Sequence, residues 1–290
     1  PHEPSRKNET AIGKRIVRVN RDTGAVVWQQ GVYNGVHAKT DSMQPLGRLE
    51  LTMGDDAVFF MEPDAVVALS LENGEELWRF ERPDYETFHA NFATLMSELT
   101  VLVYSNGVLL FAQPQGGKAF HSVPGWLYAL DAQTGDTLWE RRYGGWVHNT
   151  QPNIFVIDGK VWIHDHLDAR PKPKAAQQAG LDYKALGLDL RSGIVLESLP
   201  TDRILHVGHH HRCYRNKATE KYLLMSRRGV EFLDLDSGAN DLNHWARGDC
   251  QLGVMPANGL LYITPHPCEC YIDTKLNGFY ALASDREARS

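Results

Sequence analysis

The sequence predicts an all-β fold built from repeated four-stranded antiparallel units, and three observations predict it. A strand, a polar turn ending in glycine and a second strand recur five times along the 290 residues. In the first three copies a tryptophan stands four residues after the glycine, at Trp28, Trp78 and Trp139. Between copies lie two more strand-like runs, as in "NIFVIDGKVWIHD" (153–165) and "GLLYITP" (259–265). Two hairpin strands and two intervening strands make four. Four-stranded units that recur about every 40 to 60 residues read as the blades of a β-propeller.

The copies in order are "IVRVNRDTGAVVWQ" (16–29), "VVALSLENGEELWRF" (66–80), "WLYALDAQTGDTLWE" (126–140), "KALGLDLRSGIVLES" (184–198) and "GVEFLDLDSGANDLNHW" (229–245). Their turn glycines are Gly24, Gly74, Gly135, Gly193 and Gly238, spaced by 50, 61, 58 and 45 residues. Within a copy, Leu127, Ala129 and Asp131 share one face, because strand side chains alternate with period two. The Thr-Gly, Asn-Gly and Ser-Gly steps supply the positive φ that a tight hairpin demands. A tryptophan at fixed distance from the turn is placed to pack between neighbouring sheets and tie one copy to the next. The fourth copy departs from this pattern, with Glu197 in place of tryptophan, and in the fifth Trp245 arrives seven residues after the glycine.

The chain opens on the last two strands of a unit (15–29) and closes on "GFYALAS" (278–284), which reads as a third strand. Residues 48–245 hold four fuller blades, so 1–290 is expected to be a single propeller domain or a segment of one. A β-sandwich with coincidental turns is the competing fold, and five related hairpins argue against it. The best helix candidate is "KPKAAQQAGLDYKA" (172–185), expected to be a loop insertion.

Composition narrows the function classes. Aromatics at 10% and hydrophobic residues at 42% are those of a globular chain. A formal charge of −6 without a basic block excludes nucleic acid as a partner. No apolar run approaches the roughly 20 residues of a transmembrane helix, and no secretory signal is visible. The four cysteines, Cys213, Cys250, Cys268 and Cys270, contain no Cys-x-x-Cys. That removes thioredoxin-type redox chemistry and c-type haem attachment, and leaves disulfides or a metal site.

The Asp-x-x-Thr-Gly-x-x-x-Trp hairpin, clearest from Asp131 to Trp139, resembles the repeat of the quinoprotein (PQQ-like) β-propellers. The resemblance covers most of the chain at the level of blades. It implies a segment of a seven- or eight-bladed ring and a periplasmic or extracellular setting. The superfamily holds both PQQ-dependent alcohol dehydrogenases and cofactor-free scaffolds, so fold does not decide function. Its dehydrogenases carry two adjacent bridged cysteines over the cofactor, a calcium-binding acid set and a tryptophan floor. This chain has no Cys-Cys pair and no matching acid motif, so PQQ is not supported by the visible motifs.

In such a blade the A–B and C–D turns lie at one end, and the B–C loops and D–A links at the other. The glycine hairpins are C–D turns. By that rule His37, His89, His148, His206, His209, His210 and His211 fall in D–A connections, and His121, His164, His166 and His266 in B–C loops. Only His2 and His244 do not fit. All four cysteines map to the same end. Long loops on a rigid scaffold are where such folds place function.

Two constellations stand out there. In an extended segment His266, Cys268 and Cys270 share one side, as do His209, His211 and Cys213. Thiolate with imidazole is the ligand mix for zinc, with Cys250 as a further ligand. The competing reading is disulfides stapling the loops. On the opposite parity stand His210, Arg212 and Tyr214. A base, a cation and a phenol on one side suit removal of a proton next to a carboxylate, and they resemble loosely the His, Tyr and Arg of some propeller-fold polysaccharide lyases. Arg215, Arg227 and Arg228 add positive charge nearby, which suits an anionic substrate. His164-Asp165-His166, with Asp168 following, repeats the alternate-position pattern.

The expectation is an exported propeller acting as a binding or scaffold module. Its His/Cys-rich upper face would hold a metal and engage a small-molecule, glycan or protein ligand. The alternatives are an enzyme using that face, such as a lyase or hydrolase on acidic polysaccharide, and a PQQ-dependent dehydrogenase.

Overall fold

The computed structural model describes residues 14–33, 49–62, 64–83, 101–114, 123–146, 153–165, 184–201, 214–225, 229–249, 252–265, 276 and 278–284. All regular elements among them are strands. A two-stranded hairpin comes first: β1 (Lys14–Val19) and β2 (Val26–Tyr33). Blade I follows, with β3 (Glu50–Met53), β4 (Ala57–Met61), β5 (Ala65–Ser70) and β6 (Glu76–Glu81). Blade II holds β7 (Val101–Ser105), β8 (Val108–Pro114), β9 (Val123–Asp131) and β10 (Thr137–Trp146). Blade III holds β11 (Phe155–Ile157), β12 (Lys160–Asp165), β13 (Lys184–Asp189) and β14 (Val195–Pro200). Blade IV holds β15 (Lys217–Ala218), β16 (Tyr222–Met225), β17 (Val230–Asp234) and β18 (Asn240–Asn243). Unit V has three strands, β19 (Val254–Ala257), β20 (Leu260–Ile263) and β21 (Tyr280–Ala283). Each unit is an antiparallel meander whose strands pair in chain order. The fold is therefore all-β, built from repeated four-stranded antiparallel sheets.

The hairpins form for the reasons the sequence suggests. Asn106-Gly107, Asp158-Gly159 and Asn258-Gly259 carry positive φ at both positions, the requirement of a two-residue type I′ turn joining strands A and B. Four of the five C–D turns begin on an Asn or Asp (Asn20, Asp131, Asp189, Asp234) that binds its own turn, and that of blade I begins on Ser70, whose hydroxyl accepts the Glu72 amide. Asp131 Oδ1 accepts the Gln133 and Thr134 amides at 2.9 and 3.2 Å, and Asp189 Oδ1 accepts those of Arg191 and Ser192 at 3.2 and 2.8 Å. Such Asx turns offer the backbone an alternative to strand pairing and so end it. β1 and β2 pair as a two-stranded hairpin, and β21 is the third strand of unit V. Lys184 and Ala185 belong to β13, and residues 172–183 of the helix candidate lie outside the described residues.

Middle strands are buried on both faces. On β9, Leu127 and Ala129 enter the core between blades II and III, while Tyr128 and Leu130 enter the core between blades I and II. Each buried aliphatic side chain contributes about 1.5–3 kcal/mol. The outermost strands alternate instead, with Leu77, Leu138 and Leu196 exposed.

Three tryptophans tie consecutive units. Trp28 of the hairpin donates its indole N–H to the Leu71 carbonyl of blade I at 2.9 Å. Trp78 of blade I donates to Ala132 of blade II at 3.0 Å, and Trp139 of blade II to Leu190 of blade III at 3.0 Å. Each indole lies on the turn glycine of the following blade, Gly74, Gly135 or Gly193, where a Cβ would come within 2.9, 2.8 or 2.7 Å of the ring. Blade III has Glu197 at this position and blade IV has Leu242. Trp245 is 76% exposed and ties nothing.

Candidate functional site: the loop end of the blades

Chain direction separates two ends of every blade. The A–B and C–D turns mark the turn end, and strands B and D run out at the loop end. Among the described residues the buried polar and charged side chains are Glu62, Arg82, Gln113, Asn153, His164, Thr201, Asn216, Glu231 and Arg247. All nine sit at the loop end, just after a B or D strand, at its last residues, or at the start of an A or C strand. Burying a polar group without a partner is costly, so this end is held by bonds between buried polar side chains, while the turn end is tied by the indole hydrogen bonds.

Between blades I and II, Arg82 Nη1 donates to the Glu62 carbonyl at 3.1 Å and its Nε to Gln113 Oε1 at 3.3 Å. Gln113 Nε2 donates in turn to the Pro83 carbonyl at 2.6 Å. Arg79 pairs with Glu62 at 2.8 Å and with Glu76 at 3.0 Å. Hydrogen bonding to Glu76 holds the Arg79 guanidinium further into its charged form than usual, against the effect of burial. Between blades III and IV, the Asn216 amide donates to Asn153 Oδ1 at 2.9 Å, and Asn216 Nδ2 lies 3.4 Å from His164 Nε2. In blade IV, Tyr214 donates its hydroxyl to the Gly229 carbonyl at 3.0 Å while the Gly229 amide donates to Glu231 Oε1 at 3.1 Å. His244 Nε2 stands 3.5 Å from the same Glu231 oxygen. The Tyr214 ring lies on Gly253, where a Cβ would come within 2.7 Å of it. Beside this cluster, burial pushes the Lys217 ammonium below its ordinary range, and the positive charge of Arg215 adds to the effect.

These side chains are bonded to one another and to the strand ends at the loop end. They form its floor. Sequence reasoning missed most of them, although a repeated signal was present: a polar residue closes the apolar B strand in "AVFFME", "VLLFAQ", "KVWIH" and "LLYIT". These are Glu62, Gln113, His164 and Thr264.

Of the residues singled out from sequence, His209, His210, His211, Arg212, Cys213, Cys250, His266, Cys268 and Cys270 lie outside the described residues, as do Arg227, Arg228, His166 and Asp168. Tyr214 is described, and it is 2% exposed. His164 lies at the expected end of its blade, but within strand β12 and buried rather than in a B–C loop. The expected metal-binding face, with zinc as its ion, is corrected: among the described residues no three His, Cys, Asp or Glu side chains come together in a way that could hold a metal ion. Alternate spacing along a strand gives a shared side, but a site needs at least three groups converging; among the described floor residues Glu231 and His244 meet as a pair at 3.5 Å, while Glu62 and His164 stand in other blades.

Two cavities lined by described residues lie toward the turn side. One, of about 580 Å³, is lined by Asp55, Asp56, Tyr104, Asp131 and Arg191, with the Tyr104 hydroxyl donating to Asp55 at 2.8 Å. The other, a groove of about 560 Å³, runs between Tyr222, Phe232 and Leu242 of blade IV and Leu260 and Leu282 of unit V. Among the described residues no helix is long and apolar enough to cross a membrane.

Comparison with known proteins finds a matching family model and several similar chains. A PQQ-repeat family model, described as outer membrane protein assembly factor BamB, matches residues 9–124. A polyvinylalcohol dehydrogenase of Sphingopyxis sp. (strain 113P3) is 24% identical over 180 residues, which cover 55% of this chain and 25% of that protein. Among solved structures, BamB from Moraxella catarrhalis is similar with a TM-score of 0.49 and 12% identity, over 88% of this chain and 65% of the other. A europium-containing methanol dehydrogenase gives a TM-score of 0.38 and 11% identity, over 94% and 54%. The chain thus spans a quarter of the length of the curated relative and less than two thirds of either solved chain. Through the matched repeats and the indole-tied hairpins, the chain shows its affinity with the PQQ-like, BamB-type β-propeller superfamily.

Proposed function

We propose that the chain is part of a dehydrogenase-type propeller outside the cytoplasm that acts on the hydroxyl groups of a polymer. The observation that carries this reading is the sequence match to a polyvinylalcohol dehydrogenase over 55% of the chain. It replaces the metal-holding scaffold expected from the histidine and cysteine spacing. In this reading residues 1–290 form one domain, a segment of a seven- or eight-bladed ring, and the substrate meets the loop end. The buried polar floor supports that end, and His210 and Arg212 are candidates for substrate contact there. The described residues supply no cofactor set, so no oxidation step is assigned to them and their part is to hold the scaffold.

The test is dye-linked oxidation by the purified protein supplied with PQQ and calcium, using poly(vinyl alcohol) and small secondary alcohols. Binding of poly(vinyl alcohol) is measured alongside by affinity electrophoresis. Polymer-dependent dye reduction is the expected result. Neither turnover nor polymer binding would overturn the reading.

A further inference from the structure

We infer that the joint between blades III and IV is a built-in opening line, across which blade IV with unit V parts from the rest of the chain. Four observations converge on it. First, the hairpin and blades I to III are tied in series by Trp28, Trp78 and Trp139, each with an indole hydrogen bond of 2.9–3.0 Å to the following unit. The next position in that series is Glu197. Its carboxylate turns back into its own blade and pairs with Lys160 at 2.7 Å.

Second, the turn glycine of blade IV meets no indole. A Cβ on Gly238 would lie 3.4 Å from Leu199 and 3.9 Å from Pro200, which is ordinary contact. At Gly193 the same atom would lie 2.7 Å from the Trp139 ring.

Third, the cores differ in extent. Among the described residues, thirteen buried side chains fill the core shared by blades II and III and eleven that shared by blades I and II, whereas six fill the core between blades III and IV (Trp162, Ala185, Leu223, Met225, Leu233 and Leu235), no more than in the cores at the two ends of the series, between the hairpin and blade I and between blade IV and unit V.

Fourth, the joint relies on polar bonds. The Asn216 amide reaches Asn153, Asn216 Nδ2 faces His164, and Asn240 Nδ2 donates to the Pro200 carbonyl at 3.0 Å. Water can replace such bonds on opening, and their net worth is small compared with apolar burial. Opening here uncovers His164, Asn153 and Asn216, three of the nine buried polar residues of the loop end. Regions that move for function are drawn from the low-stability end of a structure. This inference stands on the packing alone and is independent of the dehydrogenase reading.

Native-state hydrogen exchange on the whole purified protein tests it. Amides of β16 and β17 should exchange through an opening that leaves β4, β5, β8, β9, β12 and β13 protected, with protection roughly ten-fold lower or less. Glu197→Trp supplies the missing indole and should raise β16 and β17 protection selectively. Trp139→Phe removes the tie between blades II and III and should bring β12 and β13 down to the level of β16, which keeps the idea testable if the first variant folds poorly. Equal protection of β16 and β8 in the unaltered protein would overturn the inference. So would a Trp139→Phe variant in which β12 and β13 keep the protection of β8 and β9.

Discussion

The indole of Trp139 lies flat against Gly193 of the next blade. Its nitrogen donates to the Leu190 carbonyl at 3.0 Å, and a Cβ on Gly193 would come within 2.7 Å of the ring. The turn that needs a glycine for its backbone also needs one for this contact. Gly193 has φ of +68°, and Gly24 has φ of +70° with nothing within 4 Å of a Cβ. Gly24→Ala should therefore cost only the left-handed strain, about 1–2 kcal/mol. Gly193→Ala should cost clearly more, and Trp139→Ala about 3–5 kcal/mol. Urea denaturation of the three variants checks the order; equal losses for the two glycines would refute the packing argument.

Tyr214 offers a second test, because its spacing alone suggested chemistry while its surroundings describe a brace. Its hydroxyl donates to Gly229, and its ring lies on Gly253. Tyr214→Phe keeps the ring and strands the buried carbonyl, which should cost about 1–3 kcal/mol. The check is a lowered denaturation midpoint. A variant as stable as the parent would return the phenol to the list of candidate catalytic groups.

The Lys160–Glu197 pair should matter little for stability, because both side chains are partly open to water. Glu197→Gln should cost at most about 1 kcal/mol. Hydrogen bonding to Glu197 raises the Lys160 pKa above its ordinary value. A raised ammonium pKa stabilises the fold fully below the unfolded value and loses that contribution as pH rises through the folded one. On the alkaline side, any stability difference between parent and Glu197→Gln should thus persist until the pH reaches the raised Lys160 pKa. A difference that fades near neutral pH would show that another group is responsible.

Acid should act on the Asx turns. The Ser192 hydroxyl, then the Ser192 and Arg191 amides, hold the Asp189 carboxyl below its ordinary range. A depressed carboxyl stabilises the turn above its unfolded pKa, and that contribution is lost as pH falls through the folded value. Ser192→Ala should move the Asp189 titration upward when followed by carbon NMR of the carboxyl. An unmoved titration would mean that the hydroxyl contact is not maintained in solution.

Much of the fold was legible because it rests on short-range chemistry. Thr-Gly and Ser-Gly steps fix hairpins within a few residues, and alternation fixes which side chains enter the cores. The tie between blades was also legible, since Trp28, Trp78 and Trp139 keep a constant distance from a constant turn. The candidate site was less so. His209, His211 and Cys213 share a parity, but parity along one strand cannot say what stands opposite. The floor of Arg82, Gln113, Asn153 and Asn216 is assembled from neighbouring blades whose residues are 31 to 63 apart in sequence. A polar residue at the end of an apolar strand looks like the start of a loop, and only the partner across the joint shows that it is buried.

Every indole tie points the same way, from an earlier unit to the one made after it. A chain leaving the ribosome therefore presents a finished blade whose tryptophan still waits for its cover, and completion of the next hairpin both buries that ring and sets out a new one. Through blade III, successive synthesis leaves a single tying indole open at the growing end; from Glu197 onward no described indole takes up the tie, and Trp245 stays exposed. The order of synthesis is thus written into which blade carries the ring and which carries the glycine.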